Sequence, residues 1–169
     1  TGAKRGWLAD HKIDDTVLVD ICFGAKLGSY HFDKYFTDNK SEETPVQLFV
    51  ANNGIQSDNP LMADRNALAD GVFLARDLVF EPANKLFPVS FATRCNELAD
   101  LGLEVEVLDE SAMEKLGMGA LLGVGQGSCR ESRLVIMNWR GAGDEAPIAL
   151  VGKGVTFDTG GISLKPAKG

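Results

Sequence analysis

The sequence has few of the residues that build a disulfide framework or a histidine-rich metal site. Its 169 residues include three cysteines, Cys22, Cys95 and Cys129, and two histidines, His11 and His31. No Cys-x-x-Cys pair occurs and neither histidine has a partner at ligand spacing, which argues against metal sites built from these residue types. We expect the histidines to be surface or packed residues. The odd number of widely spaced cysteines is typical of buried thiols in a reducing compartment, so we expect a cytoplasmic protein.

Long apolar runs and an excess of basic residues are also missing. No stretch approaches the roughly 20 apolar residues that a membrane-spanning helix needs, so we expect no membrane partner. There are 17 Lys and Arg residues against 24 Asp and Glu residues, for a net charge of −7, which argues against nucleic acid as the main partner. The hydrophobic fraction of 44% is that of a globular protein, with length for one sizeable core or parts of two domains.

The densest group of chemically active side chains lies in residues 151–166. An apolar run, Ile148–Val151, precedes them and predicts a short buried strand. Beyond it, Lys153, Asp158 and Lys165 stand among four glycines, which allow a backbone to approach a ligand closely. Open α/β sheets bind ligands at the carboxyl ends of their strands, so this pattern predicts a functional site.

This segment has three possible interpretations. A phosphate-binding loop requires Gly, four residues and then Gly-Lys-Ser/Thr, but Pro147 and Gly154 occupy two of those positions, which excludes it. In a metal site, Asp158 supplies an oxygen ligand, Lys153 coordinates as a neutral amine and Lys165 remains as a charged electrophile. A glycine-rich turn with solvated charges is the third interpretation and is common. The residues alone leave the last two open.

The amino-terminal part of the chain predicts several elements. Residues 16–25 are apolar and could form a helix or a strand, whereas residues 45–51 alternate in a way that predicts a strand. Residues 28–37 carry several aromatic side chains that suit packing. Residues 52–59 are rich in turn formers and predict a domain boundary.

A long helix is predicted after this boundary. Asn59 can cap it, Pro60 suits its first position and Pro82 ends it after Glu81. The apolar residues that recur on one face at helical spacing are Leu61, Leu68, Val72, Ala75 and Val79. We expect this helix to link two differently composed parts and to pack on the second.

The remainder predicts an α/β sheet with short connections. Helices are expected from Pro88 or Ser90 to Gly102 and over residues 110–116, and strands over residues 103–108 and 133–139. The glycine-rich residues 123–127 do not have the spacing of a dinucleotide fingerprint, so we interpret them as structural.

The segment from Val151 to Pro166 resembles the metal-binding signature of the leucyl (cytosol) aminopeptidases, the M17 family of two-metal exopeptidases. Thr159 stands where the family usually has serine, and a hydroxyl is retained. Three more segments are similar to segments of that family: residues 27–35, 75–84 and 118–128. The resemblance covers nearly all of the chain from about Gly24 onward.

This resemblance implies an α/β fold in three parts. Residues 1–52 would be the carboxyl-terminal part of the family's amino-terminal domain, residues 53–81 a linker with a long helix, and residues 82–169 the start of a mixed-sheet catalytic domain. The chain begins without methionine and stops directly after its densest chemistry, so we expect an internal fragment of a longer protein.

The resemblance also implies a reaction, namely release of amino-terminal, often leucine-like residues from peptide substrates. Two divalent metal ions, Mn2+ or Zn2+, would be bound in part by Lys153 and Asp158, and Lys165 would stabilise the developing oxyanion as the catalytic residue. Further carboxylate ligands, and an arginine that holds bicarbonate as general base, would lie beyond Gly169, so these residues alone are expected to be inactive. Family members are typically homo-hexamers. The alternative is a non-catalytic binding or assembly module, such as a metal-free or nucleic-acid-binding relative.

Overall fold

A computed structural model describes residues 5–9, 13–37, 47–51 and 59–158. It divides into two units, Thr1–Phe80 and Glu81–Gly169. The described residues of the first unit form β1 (Arg5–Ala9), α1 (Asp15–Gly28), β2 (Gln47–Ala51) and α2 (Pro60–Phe80). Those of the second unit form α3 (Pro88–Asn96), a 3-10 helix (Glu97–Leu101), β3 (Glu104–Leu108), α4 (Glu110–Lys115), α5 (Gly119–Gly125) and β4 (Leu134–Asn138). This mixed content agrees with the predicted α/β class.

The two strands of the first unit form a parallel pair. Their register runs from Arg5 opposite Gln47 to Ala9 opposite Ala51. Parallel neighbours require a crossover connection, and α1 lies in the chain between them, so β1, α1 and β2 make a β-α-β unit.

Residues 16–25, which the sequence left open between helix and strand, lie in helix α1. The Asp14 carboxylate caps it by accepting a 2.8 Å hydrogen bond from the Thr16 amide. Leu18 and Val19 are its buried residues. Capping by Asp14 and burial of an apolar pair therefore explain why this apolar segment is helical.

Helix α2 has nearly the predicted bounds. Asn59 Oδ1 accepts a 2.9 Å hydrogen bond from the Leu61 amide, Pro60 is the first helical residue, and the helix ends at Phe80, two residues before Pro82. These signals act within a few residues of each helix end. Local sequence was therefore enough to predict the length of this helix.

The predicted apolar face of α2 does not form its buried side. Ala69 is fully buried, whereas Leu61, Leu68 and Val79 are exposed, the last at 81%. The side of α2 that lies against α1 instead makes polar contacts between partly or mostly exposed side chains. Arg65 Nε donates to Asp20 Oδ1 at 2.8 Å, and Lys26 Nζ donates to Asp70 Oδ1 at 2.8 Å.

These contacts advance along both helices in the same sense, so α1 and α2 run side by side and parallel. Just past the end of α1, the Tyr30 ring packs 5.3 Å from the ring of Phe73 and 6.3 Å from that of Phe80. The predicted packing role of the aromatic residues is thus seen at Tyr30. Within the described ranges, no helix combines the length and apolar character needed to cross a membrane.

The described part of the second unit is built on an antiparallel pair of strands. Glu104 lies opposite Asn138 and Leu108 opposite Leu134. Helix α3 packs on both strands, and the chain leaves the following 3-10 helix through Gly102, whose φ is 95°. Only glycine adopts this conformation without strain, which explains why Gly102 was a reliable predicted stop.

Two short helices follow β3. The Asp109 carboxylate caps α4 by accepting a 2.8 Å hydrogen bond from the Ala112 amide, and Met113 is fully buried. Helix α5, Gly119–Gly125, was not predicted, because its glycines are poor helix formers. Its last residue lies so close to Ser132 that a side chain at position 125 would overlap the serine hydroxyl.

The expected strand over residues 148–151 is absent, which corrects the sequence prediction. The backbone there is irregular, and Ile148, Leu150 and Val151 are 89%, 93% and 99% exposed. A strand requires a hydrogen-bonded neighbour, and the sheet in the described part of this unit pairs β3 with β4 alone. An apolar run can predict a buried strand but cannot supply its partner.

Candidate metal and catalytic site

The site segment is the irregular stretch that follows Ile148–Val151. Lys153 and Asp158 lie on it, five positions apart, and both side chains are exposed. Lys165, the third predicted site residue, lies outside the described residues. The structure therefore places two of the three on one solvent-facing segment, and their joint coordination of a metal remains a prediction.

One glycine of this segment lies near the second unit's first helix. A Cβ placed on Gly154 would lie 3.4 Å from Cε1 and 3.9 Å from Cδ1 of Phe91 in α3. Thr156, two residues on, is half-buried. The segment thus comes near helix α3 directly after Lys153, and Phe91 is a neighbour that was not predicted from the sequence. The signal that could have found it is the glycine at 154, since glycines mark close backbone approach.

Lys153 and Asp158 are suitable types of ligand for a divalent metal, but two ligands are too few to bind one. A lysine amine and an aspartate carboxylate are nitrogen and oxygen donors of the kind that zinc or manganese accepts. Two side chains cannot fill a shell of four or more ligands. No group of three or more His, Cys, Asp or Glu residues that could hold a metal ion occurs in the described ranges. Any metal here would need donors from other residues.

The histidine and cysteine expectations have mixed outcomes. His31 is exposed, with its ring 6.2 Å from that of Phe36, as expected of a surface or packed residue, and His11 lies outside the described residues. Cys22 and Cys95 are half-buried, and burial raises the pKa of both thiols. Cys129 is exposed, so the prediction of a buried thiol is wrong there. It lies in a bend that follows the end of α5.

Comparison with known proteins identifies relatives of high similarity. The profile of the cytosol aminopeptidase family, catalytic domain, matches residues 73–169. The "Probable cytosol aminopeptidase" of Dinoroseobacter shibae is 55% identical over 152 residues, which are 90% of this chain and 31% of that protein. The protein of the same name from Caulobacter vibrioides is 56% identical over 163 residues, or 92% of this chain and 32% of its own length. The chain therefore spans about a third of the length of these relatives.

Solved structures give a consistent result. The bottromycin maturation enzyme BotP in complex with Mn aligns with a TM-score of 0.64 and 31% identity, over 80% of this chain and 29% of BotP. A second BotP structure aligns with a TM-score of 0.58 and 34% identity, over 69% of this chain and 24% of BotP. The fold likeness and the sequence likeness reach across both units. The profile match covers more than half of the chain and includes the whole lysine- and aspartate-bearing segment, and the chain therefore belongs to the cytosol aminopeptidase family.

Proposed function

We propose that this chain is part of a two-metal aminopeptidase that releases amino-terminal, often leucine-like residues from peptides. The observation that carries this proposal is the family match over residues 73–169, which spans Lys153, Asp158 and Lys165 together. The shared name of the curated relatives supports the reaction class. Their length, about three times the matched region, supports a longer parent protein.

The domain arrangement is part of the proposal. Residues 1–52 would form the carboxyl-terminal part of an amino-terminal domain, and residues 82–169 would form the start of a mixed-sheet catalytic domain. Residues 53–81 would link the two domains. The division of the structure between Phe80 and Glu81, at the end of α2, supports a boundary there. Packing of α2 on α1 supports a linker helix that lies against the amino-terminal domain.

Each site residue has a role that its chemistry allows. Lys153 would bind metal through the lone pair of its Nζ, which requires the neutral amine, and Asp158 would bind through its carboxylate oxygens. Lys165 would keep its charge and stabilise the oxyanion that develops on the scissile carbonyl. Two divalent ions, Mn2+ or Zn2+, would supply Lewis acidity and an anchor for the substrate's free amine. The manganese in one BotP structure supports the choice of Mn2+.

The parts that these residues do not supply would come from the rest of the parent protein. They are the further carboxylate ligands and an arginine that holds bicarbonate as general base. The parent would act as a homo-hexamer in the cytoplasm, a location that the relatives' name supports. The 169 residues by themselves would then be inactive.

The test compares the full-length protein with the 169-residue chain on a leucine amide substrate, with and without added Mn2+ or Zn2+. We expect metal-dependent turnover from the full-length protein and none from the chain alone. Lys153→Ala and Asp158→Asn should abolish turnover by lowering metal content. Lys115→Ala and Asp144→Asn, changes at exposed residues away from the segment, serve as matched controls.

Two results would count against the proposal. A folded full-length protein that binds metal poorly and hydrolyses no aminoacyl substrate would favour the non-catalytic binding module. Metal-dependent turnover by the 169 residues alone would show that the ligand set is complete without further residues.

A further inference from the structure

Helix α2 has an apolar stripe on a side that is turned away from α1. With about 3.6 residues per turn, five apolar residues of α2 fall within about 60° of the helix circumference. They are called the outer stripe: Leu61, Leu68, Val72, Ala75 and Val79. The centre of the stripe lies about 120° round the helix from the side that contacts α1 and Tyr30. The contacts with α1 therefore leave the outer stripe without a partner.

The outer stripe is open to solvent. Leu61, Leu68 and Val79 are 41%, 51% and 81% exposed, and Ala75 is exposed as well. No charged residue of α2 falls within the stripe. A surface helix of a globular protein normally turns polar residues to the solvent, and a contiguous apolar patch marks an interaction site. The stripe is therefore a surface that another part of the complete protein covers.

The shape of the stripe indicates a helical partner. Its residues follow one another at intervals of seven, four, three and four positions, which is the spacing with which one helix packs along another. From Leu61 to Val79 it runs for about 27 Å, at about 1.5 Å per residue. Its width of about 60° is less than the face of about 100° that a helix turns toward a broad core. One helix of about five turns with an apolar side would fit it.

A second copy of the chain is not favoured as this partner, because the surface is too small. The residues that border the stripe on its open side bring the surface to ten residues: Pro60, Asp64, Ala67, Gly71 and Leu78. A stable interface between two proteins uses about 20–30 residues from each partner. Two copies must also offset the translational and rotational freedom that they lose on association, whereas a segment of the same chain need not. A surface of this size suits an intramolecular partner.

The parent protein contains enough further chain to supply that partner. The 169 residues span about a third of the length of the curated relatives, so about two thirds of the parent lies outside them. We propose that the outer stripe of α2 is the docking surface for an apolar-sided helix in the part of the catalytic domain beyond Gly169. Helix α2 is then held by α1 on one side and by the catalytic domain on another. This inference rests on the longer parent of the proposed function and not on its metal chemistry.

The first experiment measures access to the stripe in the full-length protein. Val79→Cys places a thiol in the stripe, and Ala63→Cys places one at an exposed position of α2 outside it. Modification of each thiol by a maleimide is followed by mass analysis of its peptide, with the rate in urea as reference. An open stripe would give similar rates, because Val79 is 81% exposed in the structure. We expect Val79→Cys to react at least about 10-fold more slowly than Ala63→Cys.

Cross-linking then identifies what covers the stripe. A short photoreactive reagent is attached to Val79→Cys in a protein assembled from isotope-labelled and unlabelled subunits. Mass spectrometry locates the linked peptides and shows whether both come from one subunit. We expect links to residues beyond Gly169 of the same subunit.

A buried charge tests the same contact without a reagent. Ala75→Lys places an ammonium group in the stripe, and Ala63→Lys makes the same exchange outside it. If the stripe is covered, Ala75→Lys should lower the melting temperature of the full-length protein by about 5 °C or more relative to Ala63→Lys. Equal melting temperatures would contradict the proposal.

The other outcomes are equally decisive. Equal modification rates at the two cysteines would show an open stripe and overturn the proposal. Links between subunits would overturn it in favour of a second copy, and links to residues 81–169 would place the partner within the present chain. A full-length protein with a covered stripe that neither binds metal nor hydrolyses a leucine amide would instead overturn the proposed function and leave this inference standing.

Discussion

The Tyr30 hydroxyl donates a 2.7 Å hydrogen bond to the Asp77 carboxylate, 47 positions along the chain. The guanidinium of Arg76 lies over the same ring, with Cζ 3.9 Å from its centroid. Tyr30 follows the end of α1, and both partners lie in α2. This one phenol therefore ties the two helices together by a hydrogen bond, a cation–π contact and ring packing.

The first prediction concerns the alkaline limit of the amino-terminal unit. Burial, followed by the hydrogen bond to Asp77 and its negative charge, raises the pKa of Tyr30 from 10 to about 12, against an opposing effect of Arg76. Because the pKa is raised in the folded state, the protonated Tyr30 hydroxyl stabilises the fold. This contribution to the unfolding free energy is complete below pH 10 and is lost as pH rises through 12. We expect the unfolding free energy of the wild type to fall more steeply between pH 10 and 12 than that of Tyr30→Phe. Urea unfolding across this range measures it, and parallel profiles for the two proteins would contradict it.

The second prediction concerns the core of the carboxyl-terminal unit. Met113 is fully buried in α4, the helix that lies between β3 and α5 in the chain. Met113→Ala removes its packing and leaves a cavity, so the unfolding free energy should fall by about 2–5 kcal/mol. Val124→Ala, at a residue that is 78% exposed in α5, should change it by less than about 0.5 kcal/mol. Equal effects of the two changes would show that Met113 does not lie in a packed core.

The third prediction concerns the close approach of Gly125 to Ser132. A methyl group at position 125 would overlap the hydroxyl of Ser132. Ser132 is buried, and its backbone amide donates a 2.7 Å hydrogen bond to Glu110 Oε1. Gly125→Ala should therefore destabilise the protein by about 1 kcal/mol or more. Gly123→Ala in the same helix meets no atom within 4 Å and should stabilise by about 0.5 kcal/mol.

A double-mutant cycle isolates this contact. Adding Ser132→Ala to Gly125→Ala removes the overlapping hydroxyl, so the two changes together should cost less than the sum of their separate effects, by about 1 kcal/mol. Additive costs in chemical unfolding would mean that helix propensity, and not contact with Ser132, requires glycine at position 125.

The fourth prediction separates the two lysines of the proposed site in the full-length protein. Lys165→Ala should slow turnover of a leucine amide by about 100-fold or more, because it removes a group that stabilises developing charge. Its metal content should stay nearly that of the wild type, whereas Lys153→Ala should lose metal. Turnover assays paired with metal analysis of the purified proteins measure both. Loss of metal from Lys165→Ala would mean that the roles assigned to the lysines are wrong.

Local signals explain the elements that were predicted well. Asn59 and Pro60 begin α2, Asp109 caps α4, and Gly102 ends the helical segment before β3. Each of these residues acts on backbone groups within about four positions of itself. A sequence contains everything that such signals need, so the bounds of these elements could be predicted without a fold.

Family membership was also predictable, for a different reason. The glycines, lysines and aspartate of residues 151–166 form a pattern specific enough to indicate the family, and the profile match over residues 73–169 confirms it. The pattern does not depend on knowing where the segment lies. It predicts which side chains carry the chemistry but not which parts of the fold they contact.

The sequence by itself thus determined the α/β class, most helix ends, the β3 and β4 strands and the family. Tertiary structure alone decided which side of α2 faces the first helix and Tyr30, because the partners there are Asp20, Lys26 and Tyr30 of a distant segment. It also decided that residues 148–151 are not a strand and that Gly154 lies near Phe91. Strand pairing and loop contacts join residues that are far apart in the chain. A pattern within a short stretch of sequence does not predict which distant residues will be its partners.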